Sequence, residues 1–270
     1  MSPLSNAPGK TPFSSWLVQR LCRRGERPIL VHGGYAADEP ELHRTWLPDV
    51  PVIVERDRVE AARRAHEQGA TVVVLDDAFQ HRRLARDLDI VLVTAERWTE
   101  QPRLLPRGPW RESPTALRRA DVTICVRRTA TREVARRVAE SIARISGRDV
   151  IEAHLSADEW TTGGAPASAP EADAVLVAGI ADPALFAANA RAAGAHIVRE
   201  LIFPDHHEYT AGDAELIGAA AAEHAIVTTE KDRVKLRRLL DDGSLFVLHQ
   251  RVIIERGEET LDAALGRVLA

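Results

Sequence analysis

Short runs of aliphatic and β-branched residues recur along this chain at intervals that leave room for a helix between them, and that recurrence limits the fold more than any other feature. The runs fall at 28–33 (PILVHG), 51–55 (PVIVE), 71–77 (TVVVLDD), 89–94 (DIVLVT), 121–126 (DVTICV) and 149–155 (DVIEAHL). Helical periodicity fills several of the gaps, over 12–24, 58–68 and 131–145, with Gly25 and Gly69 placed to end the first two in a left-handed cap. Strands alternating with helices in this way specify a parallel sheet covered by helices, an α/β architecture.

The alternation is interrupted once. SADEWTTGGAPASAPEADA (156–174) is rich in Gly, Ala, Ser and Pro, lacks periodicity, and is longer than most connections inside a compact domain. A hinge or linker is expected over 156–173. Beyond it a second alternation runs through strands at 174–180, 197–203, 225–230 and 244–249 and helices at 183–193, 211–223 and 234–240. The expected organisation is a first domain over 1–155 and a second, smaller α/β domain over 174–270.

Composition narrows the classes of partner. Lys and Arg total 36 against 40 Asp and Glu, a net charge of −4, so no global field draws the chain to nucleic acid. Its two cysteines, Cys22 and Cys125, lie far apart, which suggests neither a disulfide framework nor a zinc site and fits a reducing, cytosolic setting. No apolar run approaches the roughly 18 to 20 residues that span a bilayer, and the first residues lack the apolar core of a signal peptide, so any membrane contact is expected to be peripheral.

Chemistry concentrates in a few motifs. Gly9-Lys10-Thr11 before a helix is half of a phosphate-binding loop: glycine lets backbone N–H groups approach phosphate, lysine reaches the β/γ oxygens, and threonine can ligand magnesium. Leu4 stands where the full loop pattern asks for a further glycine. Asp76 and Asp77 close an apolar strand, where α/β sheets bind ligands and where phosphoryl-transfer enzymes present a magnesium-holding carboxylate. The plain alternative is a turn cap, but adjacent like charges ask for a compensating cation or donors.

FPDHHEYT (203–210) brings Asp205, His206 and His207 together after a strand, the ingredients of a general-base dyad, a metal site or a simple turn. Asp38 and Glu39 read as an acid pair at the crevice or as a cap in a solvated loop. LLPRGPWRES (104–113) offers Arg107, Arg111 and Glu112 to an anion or covers an edge, and TTEKD (228–232) either contacts nucleotide or caps a helix. Phe13, Trp16, Leu17 and Leu21 share one helical face, which suits packing behind a phosphate loop better than lying on a membrane surface.

Taken together and in order, GKTP (9–12), GGY (33–35), ADEP (37–40), DDAFQHRRLARD (76–87), LPRGPWRE (105–112), PDHH (204–207) and TEKD (229–232) resemble the tetraacyldisaccharide 4'-kinase family over nearly the whole chain. DDAFQHRRLARD is the most specific of these. The resemblance implies a P-loop NTPase-like domain and an ATP- and magnesium-dependent kinase. Its acceptor would be the 4'-hydroxyl of a tetraacyldisaccharide 1-phosphate, a lipid A precursor, at the inner face of the cytoplasmic membrane.

By position, Gly9, Lys10, Thr11 and Arg111 would bind nucleotide, and Thr11, Asp76, Asp77 and Glu112 would hold magnesium. Asp38 would be the base toward the sugar hydroxyl, supported by His206; Asp77 counts as catalytic and His81 as a further active-site residue. Closure across the 156–173 hinge would assemble the parts. The chain departs from the family pattern at Asn6, Ala7 and Pro8, at Gly33 in place of arginine and at Ala78 in place of glycine. We therefore expect a diverged or N-terminally truncated member. Two rival readings remain: a metal-dependent hydrolase with Asp76, Asp77, His81, His206 and His207 as ligands, and a nucleotide-binding protein without kinase activity.

Overall fold

The computed structural model describes residues 2–3, 9–34 and 38–269. Along the chain run β1 (Ser2–Pro3), α1 (Lys10–Arg23), β2 (Pro28–His32), α2 (Asp38–Trp46), β3 (Val52–Val54), α3 (Arg58–Glu67), β4 (Val72–Leu75), β5 (Ile90–Thr94), β6 (Val122–Arg127), α4 (Arg132–Ser146) and β7 (Val150–Thr162). There follow β8 (Ala165–Ala167), β9 (Ala174–Ala178), α5 (Pro183–Ala192), β10 (Ile197–Ile202), α6 (Ala211–Ala220), β11 (Ala225–Thr229), α7 (Glu230–Leu236), β12 (Leu245–Arg256) and α8 (Glu258–Leu269). The chain divides into two compact units.

The first unit comprises Met1–Tyr35, Trp46–Ser156 and Val252–Ala270. In it β1, β5, β6 and β7 pair in parallel, and a separate parallel sheet sets β3 and β4 on either side of β2. Every residue of β5 is buried, as a parallel strand covered on both faces must be. From α1, Phe13, Leu17, Val18 and Leu21 enter a core with Leu30, Val74, Leu92, Ile124 and Ile151, joined by Leu261 and Leu265 of α8. The apolar face of α1 is therefore spent on its own unit. Asp57 caps α3 through Val59 and Glu60, and Gly147, at φ 73°, ends α4, the left-handed close that glycine supplies without steric cost.

The second unit comprises Ala36–Thr45 and Ala157–Arg251. Here β12, β11, β9 and β10 pair in parallel in that order. Trp160, Leu176, Phe186, Ala190 and Val227 pack on one side, and Val177, Ile217, Leu236 and Val247 on the other. Both units thus have the helix-covered parallel sheets that the alternating runs specify.

The expected boundaries need correction at three places. The 156–173 segment is largely a hairpin rather than a linker: β7 continues to Thr162 and turns through Gly163 and Gly164 into β8, with Thr162 facing Ala165. Both glycines have positive φ, 56° and 81°, which is what a two-residue hairpin turn of right-handed twist requires. Residues 252–270 return to the first unit because α8 buries Leu261, Ala264 and Leu265 there. Residues 38–45, expected within the first domain, belong to the second unit and form most of α2. The acids Asp38, Glu39 and Glu41 in its first turn favour the helix N-terminus.

Within the first unit, Glu255 accepts from Arg127 at 2.6 and 2.8 Å and from Arg132 at 2.9 Å. The hydrogen bonds from Arg127, opposed by partial burial and reinforced by Arg132, pull its carboxyl down to about 2. A depressed carboxylate stabilises the fold above its unfolded value and loses that contribution as pH falls through the folded one. Denaturation of Glu255→Gln against pH is therefore expected to lose part of the stability decline that the parent shows between about 4.5 and about 2. Parallel curves for the two proteins would refute this role.

Both cysteines are free. Burial pushes the Cys125 thiol up to about 12, which leaves it an apolar packing group.

Candidate active site

In the first unit, Gly9 caps α1 with φ 115°. A methyl group there would lie 3.3 Å from Leu155 Cδ2, so backbone conformation and space both call for glycine. The Gly-Lys-Thr triplet is thus the actual start of a helix: Lys10 opens α1 and Thr11 is buried in its first turn. The phosphate-loop positions before it, at 4–8, lie outside the described residues.

The strand-end pair completes this cluster. Asp76 is fully buried, accepts from Ser14 Oγ at 3.0 Å, and lies 3.9 Å from His32 Nε2. His32 Nδ1 accepts from the N–H of Gly34 at 3.0 Å, so in the neutral ring Nε2 carries the proton toward Asp76. Asp77 takes Arg111 Nη1 at 2.6 Å and stands 3.6 Å from Lys10 Nζ. The two carboxylates are thus each met by donors, as adjacent like charges require.

Asp77 also adopts φ 57°, a left-handed conformation uncommon outside glycine and, where it occurs, often found at functional sites. The left-handed turn falls on Asp77 and not on Ala78, whose methyl is buried in the core beside Leu75. An alanine where the family pattern has glycine is accommodated for that reason.

The second unit carries the other cluster. Asp38, at the start of α2, is 3% exposed, and His206 Nδ1 lies 3.1 Å from both its oxygens. Lys235 Nζ and Lys231 Nζ approach the same Oδ2 at 3.4 and 3.5 Å. Burial, the strongest single influence, opposes ionisation of Asp38. Lys231, His206 and Lys235 together overcome it and hold the carboxyl below the ordinary aspartate range. His206, like Asp77, has a positive φ, 61°.

The remaining candidates go elsewhere. Glu112, expected at the metal, accepts from Arg119 at 2.8 and 3.1 Å with both oxygens, while Arg119 in turn covers the Phe79 ring. Its neighbour Arg111 reaches Asp77, as Lys10 does. His207 is part of the scaffold: it meets Asp213 at 3.1 Å and stacks on Phe203, and Asp213 closes the capping box of α6. That removes a ligand from the hydrolase reading. His81 lies in the turn after β4, its N–H donating to Ala78 and its carbonyl accepting from Arg86. Thr229 caps α7, and Asp232 is a buried anchor accepting from Gly179 N–H, Tyr209 Oη and Thr229 Oγ1.

Sequence reasoning missed Ser14, His32 and Lys235, and it marked Lys231 within TEKD without its contact to Asp38. Ser14 and Lys10 are four residues apart on α1, and His32 ends a parallel strand, so helical spacing and strand-end position were available clues. The two lysines are likewise four residues apart on α7.

A parallel-sheet chain with a glycine-capped helix start, a lysine on a strand-end aspartate, and a charged, histidine-backed carboxylate has the architecture of an α/β phosphoryl-transfer enzyme. Comparison with known proteins carries this further. Residues 36–270 match the family model of tetraacyldisaccharide-1-P 4'-kinase. A tetraacyldisaccharide 4'-kinase of Anaeromyxobacter dehalogenans (strain 2CP-1) is 38% identical over 299 residues, covering 97% of this chain and 78% of that protein. One of Rhodopseudomonas palustris (strain BisB5) is 34% identical over 248 residues, covering 84% and 71%. The solved structure of LpxK from Aquifex aeolicus in complex with ATP matches with a TM-score of 0.78 and 26% identity, covering all of this chain and 87% of that one. The chain belongs to the tetraacyldisaccharide-1-P 4'-kinase family.

Proposed function

We propose that the chain transfers the γ-phosphoryl group of ATP to the 4'-hydroxyl of a tetraacyldisaccharide 1-phosphate in lipid A biosynthesis. The observation that carries this reading is the buried Asp38 carboxylate, kept charged and faced by His206 at 3.1 Å, in a chain of the 4'-kinase family. Phosphoryl transfer asks for an aligned, deprotonating hydroxyl and for neutralised phosphate charge more than for covalent catalysis.

The first cluster serves the nucleotide. Gly9 and the start of α1 present backbone N–H groups to phosphate oxygens, and Lys10 and Arg111 offer positive charge beside Asp77. Asp76, Asp77 and Thr11 each offer oxygen, the donor a hard divalent cation such as magnesium takes, and would hold it. Glu112, held by Arg119, is left out of that set. Magnesium bound with ATP supplies charge neutralisation at the phosphate oxygens.

The second cluster serves the acceptor. Asp38 takes the hydroxyl proton as oxygen attacks phosphorus, and His206 Nδ1 holds the carboxylate in position for that transfer. For the surroundings we propose peripheral contact with the inner face of the cytoplasmic membrane and no nucleic-acid partner. Among the described residues no helix is long and apolar enough to cross a membrane, and exposed Leu104 and Leu105 stand between Arg103 and Arg107, a combination suited to an anionic lipid surface.

The test is transfer of label from γ-labelled ATP by the purified chain to tetraacyldisaccharide 1-phosphate in mixed micelles with magnesium. A labelled 4'-phosphate product is expected. ATP binding with no transfer would instead support a nucleotide-binding protein without kinase activity.

A further inference from the structure

The Asp38–His206 pair does not stand alone, and its surroundings are unusual. Asp38 is almost wholly buried, yet two ammonium groups converge on one of its oxygens, Lys235 at 3.4 Å and Lys231 at 3.5 Å. Each desolvated ion costs free energy, so two ammonium groups on one buried carboxylate oxygen are an expensive arrangement to keep. Both lysines sit on α7, four residues apart and so on one face. That helix is secured at its first turn by the buried Asp232 network.

The two lysines differ in what else they touch. Lys235 is 5% exposed; it donates to the His207 carbonyl at 2.6 Å and lies 5.9 Å from the centre of the Tyr209 ring. Those contacts fix its ammonium in place beneath the carboxylate. Lys231 is 18% exposed and also meets Asp205 at 3.2 Å and His206 Nε2 at 3.4 Å. An ammonium has only donors, so in a neutral ring that accepts from Lys231 at Nε2 the proton of His206 stands on Nδ1, facing Asp38; Asp205 Oδ2 lies 3.8 Å from the same Nε2.

We infer that Lys231 and Lys235 are positioning residues for the acceptor-side dyad: together they keep the Asp38 carboxylate charged and fixed, and Lys231 also selects the Nδ1–H tautomer of His206. This rests on the proposed role of Asp38 as base. The groups facing Asp38 are Lys231 and Lys235 from α7 and His206 from the loop after β10. Asp205 of that loop pairs with Lys231, and α2 itself adds Glu39 and Glu41, the latter held by Arg237 and Arg238.

The experiment compares the full chain with Lys231→Met, Lys231→Arg and Lys235→Met. At neutral pH each methionine variant is expected to lose about 10- to 100-fold in kcat, with KM for ATP changed by less than about 3-fold. Removing a cation that lowers the Asp38 carboxyl moves the acid limb of its kcat profile to higher pH, so the methionine variants should lose further activity on acidification sooner than the parent does. Lys231→Arg should keep most of the activity. A loss that is the same at every pH, or is equal in Lys231→Met and Lys231→Arg, overturns the inference.

A second readout does not depend on turnover. Nitrogen-15 NMR of the histidine rings at pH 8 should show His206 as the Nδ1–H tautomer in the parent and a tautomer mixture in Lys231→Met. An Nε2–H ring in the parent refutes the tautomer assignment even if the kinase is active. A parent with the expected tautomer but no transfer to lipid would fault the proposed function and leave the dyad geometry standing.

Discussion

Asp38→Asn is expected to lower kcat by about 10²- to 10⁴-fold, the range that a positioned general base contributes, while KM for ATP stays near the parent value. An amide of nearly the same shape keeps the site filled but cannot accept the acceptor's proton. The environment makes this change severe, because it also removes the one carboxylate against which Lys231 and Lys235 are both placed. Lys235, 5% exposed, would keep a buried charge with less compensation, so a lower melting temperature is expected as well.

The pH dependence follows from the sign of the shift. The Asp38 carboxyl lies below its ordinary value, so its stabilisation is complete above the unfolded aspartate range and is lost as pH falls through the lower folded value. Asp38→Asn abolishes that segment of acid sensitivity. His206→Ala should reduce kcat less than Asp38→Asn, since the ring orients and stabilises the base without being it. Steady-state kinetics with a melting curve for each variant check all of this. Near-normal kcat in Asp38→Asn would dismiss Asp38 as the base.

Why the sequence announced some of this and hid the rest has physical causes. The strands were legible because β2, β5 and β9 are buried along their whole length, and such strands are written mostly in aliphatic residues. Asp76 and Asp77 stood out for the complementary reason, two charges where the run should have stayed apolar. Helix α2 was hidden because its buried set includes Asp38 and His43; two polar residues on the buried face leave little apolar period to read, and the burial of Asp38 answers to His206 and Lys235 far along the chain. The Gly163-Gly164 turn was a local hairpin marker, masked by the Ala, Ser and Pro that follow it. Lys231 was marked only as part of TEKD and Lys235 not at all: their four-residue spacing hints at a shared face, but nothing in EKDRVKL says that this face meets an aspartate almost two hundred residues earlier.

The nucleotide-side cluster makes an equally sharp demand. Lys10→Met is expected to reduce kcat/KM for ATP by about 10²- to 10³-fold, the loss typical when one preorganised charge or donor is removed from a developing anion, with KM for the lipid acceptor little changed. Lys10 and Arg111 converge on Asp77 from α1 and from the loop before Ser113, at 3.6 and 2.6 Å, so the two cations are not independent. Arg111→Met alone should weaken nucleotide use less, because Lys10 still reaches Asp77. In the double variant the losses should fall short of their sum in free energy, the behaviour of residues that share a partner. Fold integrity is not at stake in Lys10→Met: the lysine is 18% exposed, and the helix start depends on Gly9 and on the buried face of α1 rather than on the ammonium. Full ATP use by Lys10→Met, or strictly additive losses in the double variant, would separate this cluster from phosphate binding.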